Sequence, residues 1–287
     1  MSVGALMRWL GFTFYILCLF SLPLGILWGV NGILVGSVMG IGLMMLMGFH
    51  GPNKVLRQLK AREVAVAEYP ALFSILREYA RRLKVDPPKV AIMPESSLNM
   101  ALVGYSDKNA YLIITEGIIH QLPRQGIAAL IGRKLTHLSQ GELFCETWLC
   151  QFLGLAEKFI EPAKPKKLES GRQFFPLRLF LRQSLIYPLC AIPVALLRNR
   201  RPPQELDRQT VAMTGETYAL GEAFRWVQAY AERTPLHVPF STRHLFLLAP
   251  RPDNPAANVF FGVELLESRI KALDKLNVLR PLAAAPS

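Results

Sequence analysis

No charged side chain occurs between Trp9 and Phe49, a run of 41 residues. That is too long for one membrane span of about 20 residues. Two spans fit: Trp9 to Trp28, a turn at Val30-Asn31-Gly32, and Ile33 to Phe49. Pro23 is placed to kink the first, and Gly36, Gly40, Gly42 and Gly48 allow close helix packing. A secretory signal peptide fits poorly, because the apolar run continues past any cleavage site. Cysteine is scarce too: Cys18, Cys145, Cys150 and Cys190 are the only four, and none is spaced C-x-x-C. They read as small buried hydrophobes in a reducing compartment, with a Cys145/Cys150 metal pair as the lesser alternative. Acidic residues number 21 against 33 basic ones, a net charge of +12. No aromatic-plus-basic RNA motif or zinc finger accompanies that charge, so nucleic acid is not an expected partner. No internal repeat is present.

What the chain has is apolar residues, 51% of the total with a mean hydropathy of +0.25, and basic residues beside apolar segments. Arg8 precedes the uncharged run, and Lys54, Arg57, Lys60 and Arg62 follow it. The positive-inside rule then puts both ends in the cytosol. Residues 1–50 are expected to form a transmembrane helical hairpin. Residues 51–287 are expected to form a cytosolic domain on a multi-pass protein of a bacterial-type inner (plasma) membrane.

In that domain a helix from Tyr69-Pro70 carries an apolar stripe of Leu72, Phe73, Leu76, Tyr79, Ala80 and Leu83, and Pro87-Pro88 ends it. Lys89 to Met93 reads as a strand. Met100 to Tyr105 and Ala110 to Thr115 read as a strand pair joined by the polar turn Ser106 to Asn109. A short helix, Glu116 to Leu122, follows. Leu143 to Ile160 and Glu205 to Ala231 are expected to be helical, Val263 to Leu279 an amphipathic helix, and Pro281 to Ser287 frayed. Glu161 to Leu168 reads as a linker and Thr234 to Asn258 as a long Pro-rich loop. Phe174 to Leu197 is apolar but carries Arg178 and Arg182, one turn apart and costly in lipid. A membrane-surface helix is favoured over a third span there.

The organising stretch is Gly126 to Glu142. Ile127, Leu130, Ile131, Leu135 and Leu138 recur at helical spacing, with Pro123 at the start and Gly141 at the end. Arg133 and His137 share one face, with Lys134 beside them. In the frame H-E-x-x-H two His on one face bind zinc and the Glu serves as general base. Here that frame reads Arg133-Lys134-Leu135-Thr136-His137.

The flanks make the comparison apt, because the chain resembles the HtpX-type membrane metallopeptidases, the group that also contains the CAAX prenyl endopeptidase. The family's N-A-F-x-x-G falls on Asn99-Met-Ala-Leu-Val-Gly104, and its apolar strand ending Thr-x-Gly-Leu-Leu on Leu112 to Ile119. H-E-x-x-H-x-x-x-G-[DH] falls on Arg133 to Glu142, and E-x-x-A-D on Pro203 to Asp207. The closing H-P-P-x-x-x-R-I falls on Val263 to Ile270. The resemblance implies an α+β fold: a transmembrane hairpin, then a mostly helical, zincin-like domain with a small β-sheet. It also implies a peptide groove with Asn99 beside it, and a setting in membrane-protein quality control.

The departures fall on the chemistry. The first ligand becomes Arg133, the base Lys134 and the third ligand Pro203; only His137 remains. Arg stays protonated and Pro offers no side-chain donor. Glu205, two residues on, is turned by roughly 200° on a helix and should point away. A Ser139–Lys134 dyad has poor spacing for contact. The expectation is a pseudopeptidase with no catalytic residue and no metal, the family's zinc being lost. Arg133 or Lys134 is expected to fill the metal's place and pair with Asp207, in the family a support for a ligand, or with Glu142. The alternative leaves both cations in water in an open cleft. The expected partners are the membrane and membrane-protein segments or a membrane complex. Rival readings are an active metalloendopeptidase with an unconventional site and a structural subunit of a membrane assembly.

Overall fold

The computed structural model describes residues 1–49, 51–160, 187–198, 202–215, 217–249 and 266–283. The uncharged run lies in helix α1 (Val3–Phe49), which is broken where Trp28 and Gly29 leave helical geometry. Gly29 takes a φ of +59°, a conformation glycine adopts without strain. The break therefore falls at Trp28-Gly29, ahead of the expected Val30-Asn31-Gly32 turn, while Pro23 sits inside the helix without breaking it. The stretches on either side lie against each other. A Cβ on Gly36 would come 2.5 Å from the Phe20 carbonyl oxygen, and the Oγ atoms of Ser21 and Ser37 are 3.0 Å apart. Such contacts need small residues on the seam. Leu22, Ile26, Leu27, Trp28, Val30 and Val38 stay exposed. Among the described residues, α1 is the one helix long and apolar enough to cross a membrane.

An aromatic joint ties α1 to the rest of the chain. Trp9 lies 5.7 Å from Phe144 and 6.0 Å from Trp148 between ring centroids, and Phe12 lies 5.8 Å from Phe152. Tyr105 packs on Trp148 and donates its hydroxyl hydrogen to the Gly48 carbonyl at 3.2 Å. Each such ring pair adds about 0.5–1.5 kcal/mol beyond its buried area.

After α2 (Gly51–Gln58), four strands form one sheet in the order β1-β2-β4-β3: β1 (Arg62–Glu63), β2 (Lys89–Met93), β3 (Met100–Val103) and β4 (Tyr111–Thr115). The β3–β4 pair is antiparallel, as the polar turn between them requires, with Met100 opposite Ile114. The β2–β4 pair is parallel, with Val90 opposite Leu112. Alternate strand residues enter two different cores, because helices cover both faces. Val90, Ile92, Leu102, Leu112 and Ile114 enter the larger core. Ala91, Met93, Ala101, Val103 and Ile113 meet Val55 and Leu56 of α2.

The larger core also takes α3 (Pro70–Leu83), α4 (Glu116–Gln121) and the central α5 (Arg124–Ser139). Then come α6 (Leu143–Ile160), α7 (Tyr187–Leu197), α8 (Pro203–Thr214), α9 (Thr217–Arg233) and α10 (Leu266–Ala283). Two expectations are corrected. Glu205 to Ala231 is not one helical stretch: Gly215, at φ +77°, caps α8. Pro281 lies within α10, not in a frayed end. Residues 161–168, 174–186 and 263–265 lie outside the described residues. Tyr187–Leu197 is a helix whose Cys190, Val194 and Leu197 are buried with Phe12 and Ile16 of α1.

Candidate functional site

The helix that organises the sequence is buried nearly all round. Besides its apolar residues, both Arg133 and Lys134 are buried. The alternative of two cations in an open cleft is therefore overturned; each has a protein partner. Arg133 Nε donates to Asp207 Oδ1 at 2.6 Å. Arg269, from α10, grips the same carboxylate from the other side, Nε to Oδ2 at 2.7 Å and a second nitrogen to Oδ1 at 2.9 Å. Both guanidinium groups lie over the Phe224 ring, at 5.9 Å for Arg133 and 4.4 Å for Arg269. The ring's negative face favours cations there. One carboxylate thus joins α5, α8 and α10 above an aromatic floor from α9. Burial alone would raise the Asp207 pKa, but the two guanidinium groups outweigh it and hold the carboxyl below its usual range.

Lys134 reaches the other way, donating from Nζ to the Leu245 carbonyl at 2.9 Å. Burial first, then Arg133 and Arg269, push its pKa down to about 7 against the pull of Glu146. His137, at the end of α5, pairs through Nε2 with Glu146 Oε1 at 3.0 Å. Burial works to raise the Glu146 pKa, yet His137, His244 and Lys134 together bring it below the ordinary value. His244 Nε2 lies 3.0 Å from the Glu146 backbone carbonyl, so that nitrogen is the donor. Burial lowers the His244 pKa.

The remaining expected residues sit as follows. Pro203 is the first residue of α8. Glu205 is exposed and accepts from Gln209 at 3.2 Å, so it faces away from Arg133 as its helical position required. Glu142, the other carboxylate expected to pair with Arg133 or Lys134, binds Arg8 and the Ser2 hydroxyl. Ser139 donates to the Thr136 carbonyl at 2.7 Å, and Lys134 points to Leu245, so no dyad forms. Cys145 Sγ faces the Ala5 carbonyl at 3.2 Å, whereas Cys150 lies in the core beside Ala91 and Ile113.

Asn99 meets a backbone, but it is the chain's own. Its Nδ2 donates to the Leu248 carbonyl at 2.8 Å, and its Oδ1 accepts from the Leu247 and Leu248 amides at 3.1 and 3.3 Å. Leu247 N donates to the Met100 carbonyl at 2.8 Å, and Phe246 bridges antiparallel to Ala101. The outer edge of β3 is therefore filled at these positions.

A search of the curated proteins finds relatives along most of the chain. A protein named Protease HtpX homolog from Thermodesulfovibrio yellowstonii is 24% identical over 253 residues, covering 86% of this chain and 90% of its own length. One of the same name from Salinibacter ruber is 25% identical over 265 residues, covering 90% and 93%. The chain is homologous to these HtpX proteases. A third, from Aquifex aeolicus, is 25% identical over 262 residues, covering 88% and 86%. No family model matches the chain. The crystal structure of S. mikatae Ste24p aligns with a TM-score of 0.46 and 16% identity, over 90% of this chain and 61% of that one.

The HtpX resemblance implies zinc, and the residues present do not suit it. A zinc site takes three protein ligands plus water, or four. Of the three positions that the resemblance sets against zinc ligands, His137 alone carries a donor, and its Nε2 is engaged by Glu146. Among the described residues no three His, Cys, Asp or Glu side chains cluster. Arg133 and Lys134 would add repulsion of several kcal/mol at an effective dielectric of about 20. Arg269 and Glu146 were given no role by sequence. Their signals were a basic residue in the closing motif and a lone acid in the apolar run Leu143-Phe-Cys-Glu-Thr-Trp-Leu-Cys150.

Proposed function

We propose a membrane-anchored, non-catalytic HtpX-like protein that holds extended protein segments instead of cutting them. The observation that carries this reading is the Arg133–Asp207–Arg269 cluster. Hydrolysis of an amide by this family's route needs a metal-activated water and a carboxylate to take its proton. The corresponding positions carry a guanidinium already bound to Asp207 and an ammonium bound to Leu245. The clip between helices is thus an ion pair, where the resemblance implies a dication.

The binding half of the reading rests on the edge of β3. That edge takes an extended backbone through one ladder hydrogen bond and the two-way Asn99 amide, the geometry of strand addition. The transmembrane hairpin would set the body at the inner face of the membrane, with Arg8 and the basic residues from Lys54 onward at its cytosolic border. Segments of membrane proteins are then the partners within reach.

Metal analysis of the intact purified protein, with casein cleavage alongside, tests the reading. The expected result is no stoichiometric transition metal and no cleavage. An Arg133→His, Lys134→Glu, Pro203→Glu variant provides the zinc-site comparison. Stoichiometric zinc and casein hydrolysis by the unaltered chain would overturn the proposal.

A further inference from the structure

We infer that α7 is set into the lipid hydrocarbon beside α1, with its Arg198 end at the membrane border, and that Tyr15 supplies the hydrogen bond this setting requires. The inference rests on the membrane anchorage of α1 proposed for this protein. Two contacts fix how the helices run past each other. A Cβ on Gly11 would lie 3.6 Å from Leu196 Cδ2. Four residues further along α1, Tyr15 donates its hydroxyl hydrogen to the Leu189 carbonyl at 2.9 Å. So α7 runs opposite to the first stretch of α1, and Arg198, directly after the helix, lies toward the Arg8 end.

The bond from Tyr15 answers a defect in α7. Pro193 has no N–H, so the helix offers no donor to the carbonyl four residues back, which is that of Leu189. In water a solvent molecule would take the place. In hydrocarbon a freed carbonyl needs a donor from a neighbouring helix, and Tyr15 is that donor. The outer face of α7 agrees. Pro188, Ile192 and Ala195 are exposed, Ile192 by 45%, and no residue from Tyr187 to Leu197 is charged. A helix lying on a membrane surface keeps a charged or polar face toward water; Pro188, Ile192 and Ala195 provide none. At the same level α1 exposes Leu10 and Phe14, so the apolar band of α1 continues onto α7. The 11 residues of α7 rise about 16 Å. That is about half of a hydrocarbon core about 30 Å thick. The helix therefore occupies one leaflet, and its partner is the acyl chains there.

Nitroxide labels test the placement on the full-length protein in phosphatidylcholine–phosphatidylglycerol vesicles. They are attached to Ile192→Cys, Phe14→Cys and Tyr218→Cys variants in a Cys18→Ala background, Cys18 being the native cysteine that is not buried. At Ile192 and Phe14 molecular oxygen should relax the label more than an aqueous nickel chelate does; at Tyr218, exposed on α9, the order should reverse. Nickel access at Ile192 with oxygen access at Phe14 would overturn the inference and leave the anchor standing. Nickel access at both would sink the anchor as well. A double-mutant cycle tests the hydrogen bond. Tyr15→Phe should lower the folding equilibrium constant in micelles about tenfold, the cost of a buried carbonyl left without a donor. Pro193→Ala returns an N–H to the Leu189 carbonyl, so in that background Tyr15→Phe should cost less than about twofold. Equal losses in the two backgrounds would overturn the role given to Tyr15.

Discussion

Two buried carboxylates stand near the central helix, and they bind different cations. Asp207 comes from a neighbouring helix, faces Arg133 side-on and also takes Arg269. Glu142 follows α5 directly, beyond Gly141, whose φ of +70° turns the chain away from the helix axis. It meets Arg8 and Ser2 instead. Glu142 is by far the nearer to Arg133 in sequence, yet it is the one that leaves the motif. The comparison teaches that packing of α8 on α5, not separation along the chain, chose the counter-ion. It also divides the labour: Asp207 joins three helices of the body, whereas Glu142 joins the body to α1.

Breaking the first clip should cost most. Asp207→Asn leaves two buried guanidinium groups without their anion, and a loss of about 3–5 kcal/mol is expected, read from chemical unfolding in micelles. Arg133→Met should cost less, about 1–3 kcal/mol in the same assay, because Arg269 still satisfies the carboxylate. Glu142→Gln should cost about 1–2 kcal/mol, since Arg8 is partly exposed and water can serve it.

A pH series sharpens the contrast. The Asp207 carboxyl is depressed in the folded chain, so the stability it lends is complete above its unfolded value of 3.8 and is lost as pH falls through the folded value. Lys134 behaves in the opposite sense. Its pKa falls to about 7 from 10.5, so the burial penalty is full below about 7 and is relieved as pH rises toward 10.5. Between those limits the wild type should gain on Lys134→Met by at most about 1.4 kcal/mol per pH unit. A flat difference would mean that Lys134 stays charged.

Much of this was legible in the residues. The apolar spacing of α5, the polar turn between β3 and β4, and the position of Asp207 one helical turn past Pro203 are local features that tertiary contacts did not overrule. The parallel partnering of β2 with β4 was not legible. Lys-Val-Ala-Ile-Met and Tyr-Leu-Ile-Ile-Thr are apolar on both faces, and such strands do not encode their neighbours. Glu146 escaped notice because its role depends on α6 folding back past Gly141 to face His137. The occupied edge of β3 escaped because its occupant comes from a segment distant in sequence that reads as a loop.

The aromatic joint supplies an optical handle. Of the four tryptophans, Trp9 and Trp148 lie 6.0 Å apart in the joint, while Trp28 stands exposed at the break in α1. A quencher confined to the aqueous phase should therefore reach these residues unequally. Loss of docking between α1 and α6 would register as a red shift in emission from Trp9 and Trp148 alone, before the rest of the molecule melts.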